Sequence, residues 1–275
     1  MLTNDQLVEL YGGLPLRATV RAEGEDDGGW FIETPCLFVG GTEPVGVYIQ
    51  GGMHSQPEQL SHKVLGFAKE GFPVACIGQT GAAGVRKSSN FYDRSDYSRF
   101  VKRELTVLDV LEDAFGIAKV IAYGSSIGAA AAIALAAEAP KKVAAVIAVS
   151  PASLIKQNPW LMALRFFLSG FDGKADFKPP PRKPPSPIEL VREFFGKARE
   201  LSASDVGLQY LARVTCPVLI YTGRQDKVFP ARALKPLEKQ FPTVVRVSVL
   251  DNFVHSDPNT REKMNRLVTD ALERI

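Results

Sequence analysis

From residue 45 onward the sequence alternates between short apolar runs and longer segments of helical periodicity, and this alternation restricts the fold more than any other feature. The apolar runs are predicted to be strands, at 46–50, 73–78, 119–123, 144–150, 217–221 and 244–250. Helices are predicted between them, at 57–69, 98–115, 127–139, 231–240 and 260–274. Strands that are apolar on both faces are typical of a parallel sheet that is covered on both sides. The sequence therefore predicts an α/β protein with a mostly parallel central sheet and helices on both of its faces.

Two segments depart from this alternation. Before it, strand-like runs at 17–22 and 30–39 flank a turn rich in Gly and Asp, which predicts an antiparallel hairpin. Within it, residues 152–213 contain no convincing strand and carry six prolines between positions 179 and 187, which exclude regular helix and sheet there. We interpret residues 1–151 and 214–275 as one core domain and residues 152–213 as an inserted helical and Pro-rich segment.

Composition and charge exclude several classes of function. The 33 Lys and Arg residues against 30 Asp and Glu give a formal net charge of +3, and they are scattered along the chain, so no nucleic-acid partner is implied. The first residues lack the features of a secretory signal, and the most apolar run, 127–137, is about half as long as a bilayer span. We expect a cytoplasmic protein without stable membrane insertion. Cys36, Cys76 and Cys216 lie in apolar runs, which predicts buried free thiols.

The sharpest local signal is the pentapeptide Gly124-Ser125-Ser126-Ile127-Gly128. A predicted buried strand precedes it and an Ala-rich helix follows directly, which is the context of a nucleophile elbow. Such a turn exposes its central serine, and its glycines let the neighbouring backbone approach closely. Ser126 is therefore the candidate nucleophile, and the N–H of Ile127 is expected to be an oxyanion donor. The strand and the helix support this inference more than the pentapeptide does, because the pattern alone is common.

A serine hydroxyl needs a base to accept its proton, and the sequence offers only His54, His62 and His255. His255 lies in the polar loop between the last predicted strand and the last predicted helix, at the sheet edge where open α/β folds assemble their sites. It is the predicted base. His62 falls in an amphipathic helix and is expected to be an exposed or packing residue. His54 follows a Gly-Gly pair and is a candidate substrate contact, with an ordinary surface histidine as the alternative.

The imidazole in turn needs a carboxylate to hold its useful tautomer. Asp226 stands in the turn that follows the predicted strand at 217–221, and it is the candidate acid. Asp251 and Asp257 lie beside His255 in sequence, but neighbours on one loop rarely reach the required geometry. The resulting order of serine, acid and histidine is that of hydrolases built on a nucleophile elbow.

A second oxyanion donor is expected after the predicted strand at 46–50. There Gly51-Gly52-Met53 permits a backbone amide to turn inward without a side chain in the way. The N–H of Gly52 is the first candidate and that of Met53 the second. The alternative is a plain turn that ends the strand.

Together these motifs resemble the α/β-hydrolase superfamily, over roughly residue 45 to the C-terminus apart from the insertion. Gln50-Gly51-Gly52 is similar to the superfamily's His-Gly-x oxyanion loop, and residues 78–88 resemble its Asp-x-Arg-Gly-x-Gly-x-Ser loop. Gln50 replaces the usual His, and the Asp and Arg of the second loop are missing. The resemblance implies an α/β-hydrolase fold in which residues 152–213 form a cap over the active site. A serine at the elbow argues against haloalkane dehalogenases and epoxide hydrolases, which use Asp there.

The first part of this cap is rich in aromatic side chains. Residues 158–171 carry four aromatic rings and a single charge. Trp160, Phe166 and Phe167 are candidates for lining an apolar acyl pocket or touching lipid. The alternative is that the segment simply packs on the core beneath it.

These residues predict a serine hydrolase that cleaves a small, apolar carboxylic ester through an acyl-enzyme intermediate, without a metal or an organic cofactor. The same triad supports thioester cleavage, C–C bond hydrolysis, acyl transfer or perhydrolysis, and the motifs do not separate these reactions. A hydrolase-like fold that only binds a ligand or a partner is the third hypothesis, against which the complete triad argues. The sequence predicts neither the acyl and alcohol specificity nor the oligomeric state.

Overall fold

The structure is a computed structural model, and it describes residues 16–25, 29–51, 57, 61–78, 85–87, 97–155, 158, 160–161, 165, 204–251, 253 and 261–275. Its strands are β1 (Leu16–Gly24), β2 (Trp30–Val39), β3 (Val45–Gln50), β4 (Val74–Ile77), β5 (Arg86–Lys87), β6 (Lys119–Ser125), β7 (Val143–Val149), β8 (Val218–Gly223) and β9 (Val245–Leu250). Its helices are α1 (Ser61–Lys69), α2 (Tyr97–Phe115), α3 (Ile127–Glu138), α4 (Ser204–Leu211), α5 (Ala231–Leu234), α6 (Leu237–Gln240) and α7 (Arg261–Leu272).

These strands form a single mixed sheet in the order β1-β2-β4-β3-β6-β7-β8-β9, and the short β5 pairs with β2. β1 and β2 form the predicted antiparallel hairpin, and β2 also runs antiparallel to β4. From β4 to β9 every neighbouring pair is parallel. The carboxyl ends of β3, β6, β7, β8 and β9 therefore meet at one edge, which is where the predicted site residues follow their strands.

The sheet separates two apolar layers. Along β6 the side chains alternate between them: Ala122 faces the layer that holds α2 and α3, whereas Tyr123 faces the layer that holds α1 and α7. Both residues are fully buried. The sheet is thus covered on both faces, which explains why its strands read as nearly continuous apolar runs.

Most predicted elements agree with the structure to within one or two residues, and four details differ. The helix predicted at 57–69 is described as a helix only over Ser61–Lys69. The helix predicted at 231–240 is wrong, since α5 and α6 are separate short helices on either side of Lys235 and Pro236. Pro236 supplies no backbone N–H and cannot continue the helix that precedes it. The two-residue strand β5 was not predicted. Cys36 and Cys76 are buried thiols that form no disulfide, whereas Cys216 is only half-buried.

Helix α4 lies in the segment that the sequence assigns to the cap, and it packs against α3. A Cβ atom on Gly207 would lie 2.1 Å from the carbonyl oxygen of Ser153, so this helix approaches the chain just after β7 very closely. Leu211, the last residue of α4, is buried in the core layer of α2 and α3. The boundaries of the cap, 152–213, remain a prediction.

None of the helices in the described ranges combines the length and the apolar character needed to cross a bilayer.

Candidate active site

Ser126 occupies a sharp turn between β6 and α3. Its backbone has φ 56° and ψ −119°, a left-handed conformation that few non-glycine residues adopt. Both backbone groups of Ser126 are hydrogen-bonded to the chain at the end of β7: its N–H donates to the carbonyl oxygen of Val149 at 2.9 Å, and its carbonyl accepts the N–H of Ala152 at 3.1 Å. Such a conformation persists only where the surroundings determine it, and it is the turn expected of a nucleophile elbow.

The two glycines around Ser126 are required by close backbone approaches. A Cβ atom on Gly124 would lie 2.2 Å from the carbonyl oxygen of Gly128, and one on Gly128 would lie 2.3 Å from the carbonyl oxygen of Gly51. The first approach closes the elbow upon itself. The second brings the end of β3 against the start of α3, so the loop after β3 begins directly beside Ser126.

Backbone donors are available beside Ser126 at the start of α3. Ile127 is the first residue of the helix, where N–H groups have no intrahelical acceptor, and its N–H donates to no residue in the described part of the chain. This is the arrangement that an oxyanion donor requires. Gly51 is buried, and its carbonyl oxygen lies close to Gly128, the residue after Ile127. The other predicted donors, Gly52 and Met53, and the candidate substrate contact His54 lie outside the described residues.

Asp226 lies in the turn after β8, with 2% of its surface exposed. Its Oδ1 atom accepts the backbone N–H groups of Val228 at 2.8 Å and Phe229 at 2.9 Å, and its own N–H donates to the carbonyl oxygen of Gly223 at 3.1 Å. The carboxylate is therefore fixed in orientation by the turn that carries it. Asp251 differs in every respect, because its side chain is 72% exposed and pairs with Arg224 at 2.6 Å.

His255 lies outside the described residues, but the loop that leads to it is anchored beside the turn of Asp226. A Cβ atom on Gly223 would lie 1.8 Å from the carbonyl oxygen of Phe253. Phe253 is buried, and the N–H of Arg224 donates to the carbonyl oxygen of Leu250 at 2.9 Å. The turn that carries Asp226 and the start of the loop that leads to His255 therefore meet at the end of β8. Asp257, the other acid near His255, also lies outside the described residues.

Of the aromatic residues predicted to line a pocket, only Trp160 is described. It is 67% exposed, and the neighbouring Leu161 is 44% exposed. The side-chain oxygen of Asn158 accepts the N–H of Trp160 at 2.9 Å, as at the start of a helix. Phe166 and Phe167 lie outside the described residues, so the apolar acyl pocket remains a prediction.

Sequence reasoning missed a buried lysine beside the elbow. Lys63 in α1 is 5% exposed, and its ammonium donates a hydrogen bond to Oγ of Ser125 at 3.1 Å. Burial lowers the pKa of Lys63 to about 8, against an opposing contribution from Cys76. Helical spacing was the available signal in the sequence. Lys63 stands one turn before the apolar Phe67, which is fully buried on the same face of α1.

The described residues contain no group of three or more His, Cys, Asp or Glu side chains that could hold a metal ion.

Similar solved structures show the α/β-hydrolase fold. A carboxylesterase structure from the thaumarchaeon Nitrososphaera gargenis is 17% identical, with a TM-score of 0.65 over 88% of this chain and 95% of that one. A carboxylesterase from Bacillus subtilis is 15% identical, with a TM-score of 0.66 over 98% and 94% of the two chains. An epoxide hydrolase from Vigna radiata is 14% identical, with a TM-score of 0.62 over 95% and 98%. At these identities the likeness establishes the fold alone.

A family model described as serine aminopeptidase, S33, matches residues 45–182, which is half of the chain. The chain therefore belongs to this family of hydrolases, within the α/β-hydrolase superfamily. No curated protein sequence matches the chain significantly.

Proposed function

We propose that the protein is a serine hydrolase that cleaves small carboxylic esters through an acyl-enzyme intermediate. The observation that carries the proposal is the elbow, where Ser126, with its positive φ, lies beside the N–H of Ile127 at the start of α3. The fixed carboxylate of Asp226 supports it, as does the close approach of Gly223 to Phe253, two residues before His255.

In the proposed reaction, Oγ of Ser126 attacks the ester carbonyl while the imidazole of His255 accepts the hydroxyl proton. The N–H groups of Ile127 and of Gly52 or Met53 stabilise the oxyanion. The intermediate collapses, and the departing alkoxide takes the proton from His255, which leaves the acyl group on Ser126. Water then attacks the acyl-enzyme with His255 as base, which releases the acid and restores the serine.

The experiment compares Ser126→Ala with a matched serine variant. Ser150 follows β7 at the same sheet edge, is buried and also has a positive φ of 45°, so Ser150→Ala is the control. We expect Ser126→Ala to lose about 10⁴-fold or more in kcat and all labelling by a fluorophosphonate probe. Ser150→Ala should keep both within a few-fold. Undiminished turnover in Ser126→Ala would refute the proposal.

The substrate panel addresses the bond that is cleaved. The family's description names an aminopeptidase, and two of the similar structures are carboxylesterases, so the panel contains aminoacyl arylamides as well as aryl esters and acyl thioesters. We expect the highest kcat/KM for short acyl esters. Preference for an arylamide with a free amino group would instead assign a peptidase activity to the same triad. A folded protein that neither labels nor turns over any member would favour a ligand-binding role.

A further inference from the structure

The elbow has a second polar contact on the side of the sheet that faces α1. Lys63 lies there with its Nζ 3.1 Å from Oγ of Ser125 and 5.2 Å from the centroid of the Tyr123 ring. Ser125 immediately precedes Ser126. We propose that Lys63 is a positioning residue of the elbow: its ammonium holds Ser125, and thereby the strained turn of Ser126, in the geometry that nucleophilic attack requires. This inference rests on the function proposed above.

The surroundings of Lys63 are unfavourable for a charged side chain, so a purely structural role would lower the stability of the fold. No carboxylate in the described part of the chain forms an ion pair with it, and burial lowers its pKa to about 8. A buried ammonium without a counter-ion destabilises a fold, whereas an apolar side chain of similar length would stabilise it. Residues that lower the stability of a fold in this way are expected at functional sites. Lys63 thus fits a group that serves activity at a cost in stability.

Among the described residues, the other groups that face Lys63 cannot replace its charge. From β6 comes Tyr123, whose pKa burial raises above its ordinary value of 10, so that it stays neutral. From β4 comes the thiol of Cys76. The described residues of α7 that pack in this layer, Leu267, Val268, Ala271 and Leu272, are apolar, and Asp270 of the same helix accepts a hydrogen bond from the hydroxyl of Tyr221 at 2.6 Å. The ammonium is therefore the single cation among these contacts, and its hydrogen bond to Ser125 is charge-assisted.

The positive φ of Ser126 makes the geometry of the turn depend on contacts such as the hydrogen bond from Lys63 to Ser125. Ser126 has φ 56°, so its neighbours must hold a conformation that the chain would otherwise leave. The carbonyl of Val149 and the N–H of Ala152 hold Ser126 from the side of β7, and Lys63 holds Ser125 from the side of α1. Misplacing a reacting atom by about 1 Å can cost roughly 100-fold in rate, without a change in substrate contacts.

The test uses Lys63→Met, Ser125→Ala, their combination and the control Lys69→Met, an exposed lysine on the same helix. We expect Lys63→Met to lower kcat and the rate of fluorophosphonate labelling of Ser126 about 10- to 100-fold, with KM unchanged. Ser125→Ala should act similarly, and the double variant should be no worse than either single one. The melting temperature of Lys63→Met should equal or exceed that of the wild type. Lys69→Met should change neither quantity.

The pH profile separates positioning by charge from packing. Wild-type kcat/KM should fall as pH rises through about 8, where the ammonium loses its proton, and Lys63→Met should lack this fall. Wild-type labelling rates and profile in Lys63→Met would overturn this inference and leave the proposed function intact. Additive losses in the double variant would also overturn it. Absence of labelling at Ser126 in the wild type would overturn both.

Discussion

The two aspartates near the end of β8 give a discriminating test at the scale of single residues. Asp226→Asn keeps an oxygen that accepts the N–H groups of Val228 and Phe229, so the turn should persist while the negative charge is lost. We expect kcat to fall by about 10⁴-fold, because the imidazolium that forms during attack loses its stabilising charge. Asp251→Asn, at an exposed ion pair with Arg224, should stay within about twofold. Steady-state kinetics and thermal melting of both variants provide the measurement. The reverse ranking would reassign the acid.

Single residues also show how far the candidate site can be predicted from sequence. Ser126 and Asp226 could be proposed from the sequence because each follows an apolar strand in a turn whose chemistry is local in the chain, and their catalytic roles stay predictions. Lys63 was missed because its burial depends on which face of α1 meets β6. That face is set by tertiary packing, and a polar residue on it contradicts the apolar pattern that helix prediction uses.

At the scale of elements, the proposed coupling of Asp226 and His255 depends on the approach of β8 to the loop after β9. Gly223→Ala would place a Cβ atom 1.8 Å from the carbonyl oxygen of Phe253, so one backbone must move. We expect kcat/KM to fall more than about tenfold and the free energy of unfolding to fall by roughly 1 to 3 kcal/mol. Gly40→Ala is the control, since a Cβ atom there meets nothing within 4 Å. Urea unfolding and ester hydrolysis measure the two effects. Unchanged activity in Gly223→Ala would mean that this contact does not position the histidine loop.

Element prediction succeeded where the apolar pattern extended over many residues, and it failed where a proline interrupts a helix or where packing overrides the pattern. The strands were found because burial on both faces leaves continuous apolar runs, and α3 was found because nine of its residues are buried small or aliphatic side chains and glycine. The helix predicted at 231–240 joined two short helices across Pro236. In α2 the adjacent Arg103 and Glu104 are both fully buried and pair through Nε and Oε1 at 2.9 Å, which an amphipathic pattern does not predict.

At the scale of the whole molecule, one sheet supports both the fold and the candidate site. The apolar layers on its two faces fix the strands, and the strands present their carboxyl ends at one edge. Lys63 lies where one of these layers reaches that edge. A charge in this position contributes to the free energy of unfolding of the entire domain, and its contribution depends on pH.

The pH dependence of stability isolates that contribution. Burial lowers the pKa of Lys63 from 10.5 to about 8 in the folded chain. Below pH 8 the amine is charged in both states, so the destabilisation is fully present. Between pH 8 and 10.5 the unfolded chain binds more protons than the folded chain, and stability therefore rises with pH. The deficit is roughly 3 kcal/mol at most, because a tenfold change in proton affinity is worth about 1.4 kcal/mol.

The measurement is the difference in free energy of unfolding between Lys63→Met and the wild type, from urea denaturation at pH 7 to 10.5. We expect the variant to be the more stable at pH 7 and its advantage to shrink steadily toward pH 10.5. Burial raises the pKa of Cys36 to about 12 and that of Cys216 to about 11, which lowers stability above pH 9. These thiols are present in both proteins, so their effect cancels in the difference. A difference that stays constant with pH would show that the amine of Lys63 keeps its ordinary proton affinity and is solvated in the folded protein.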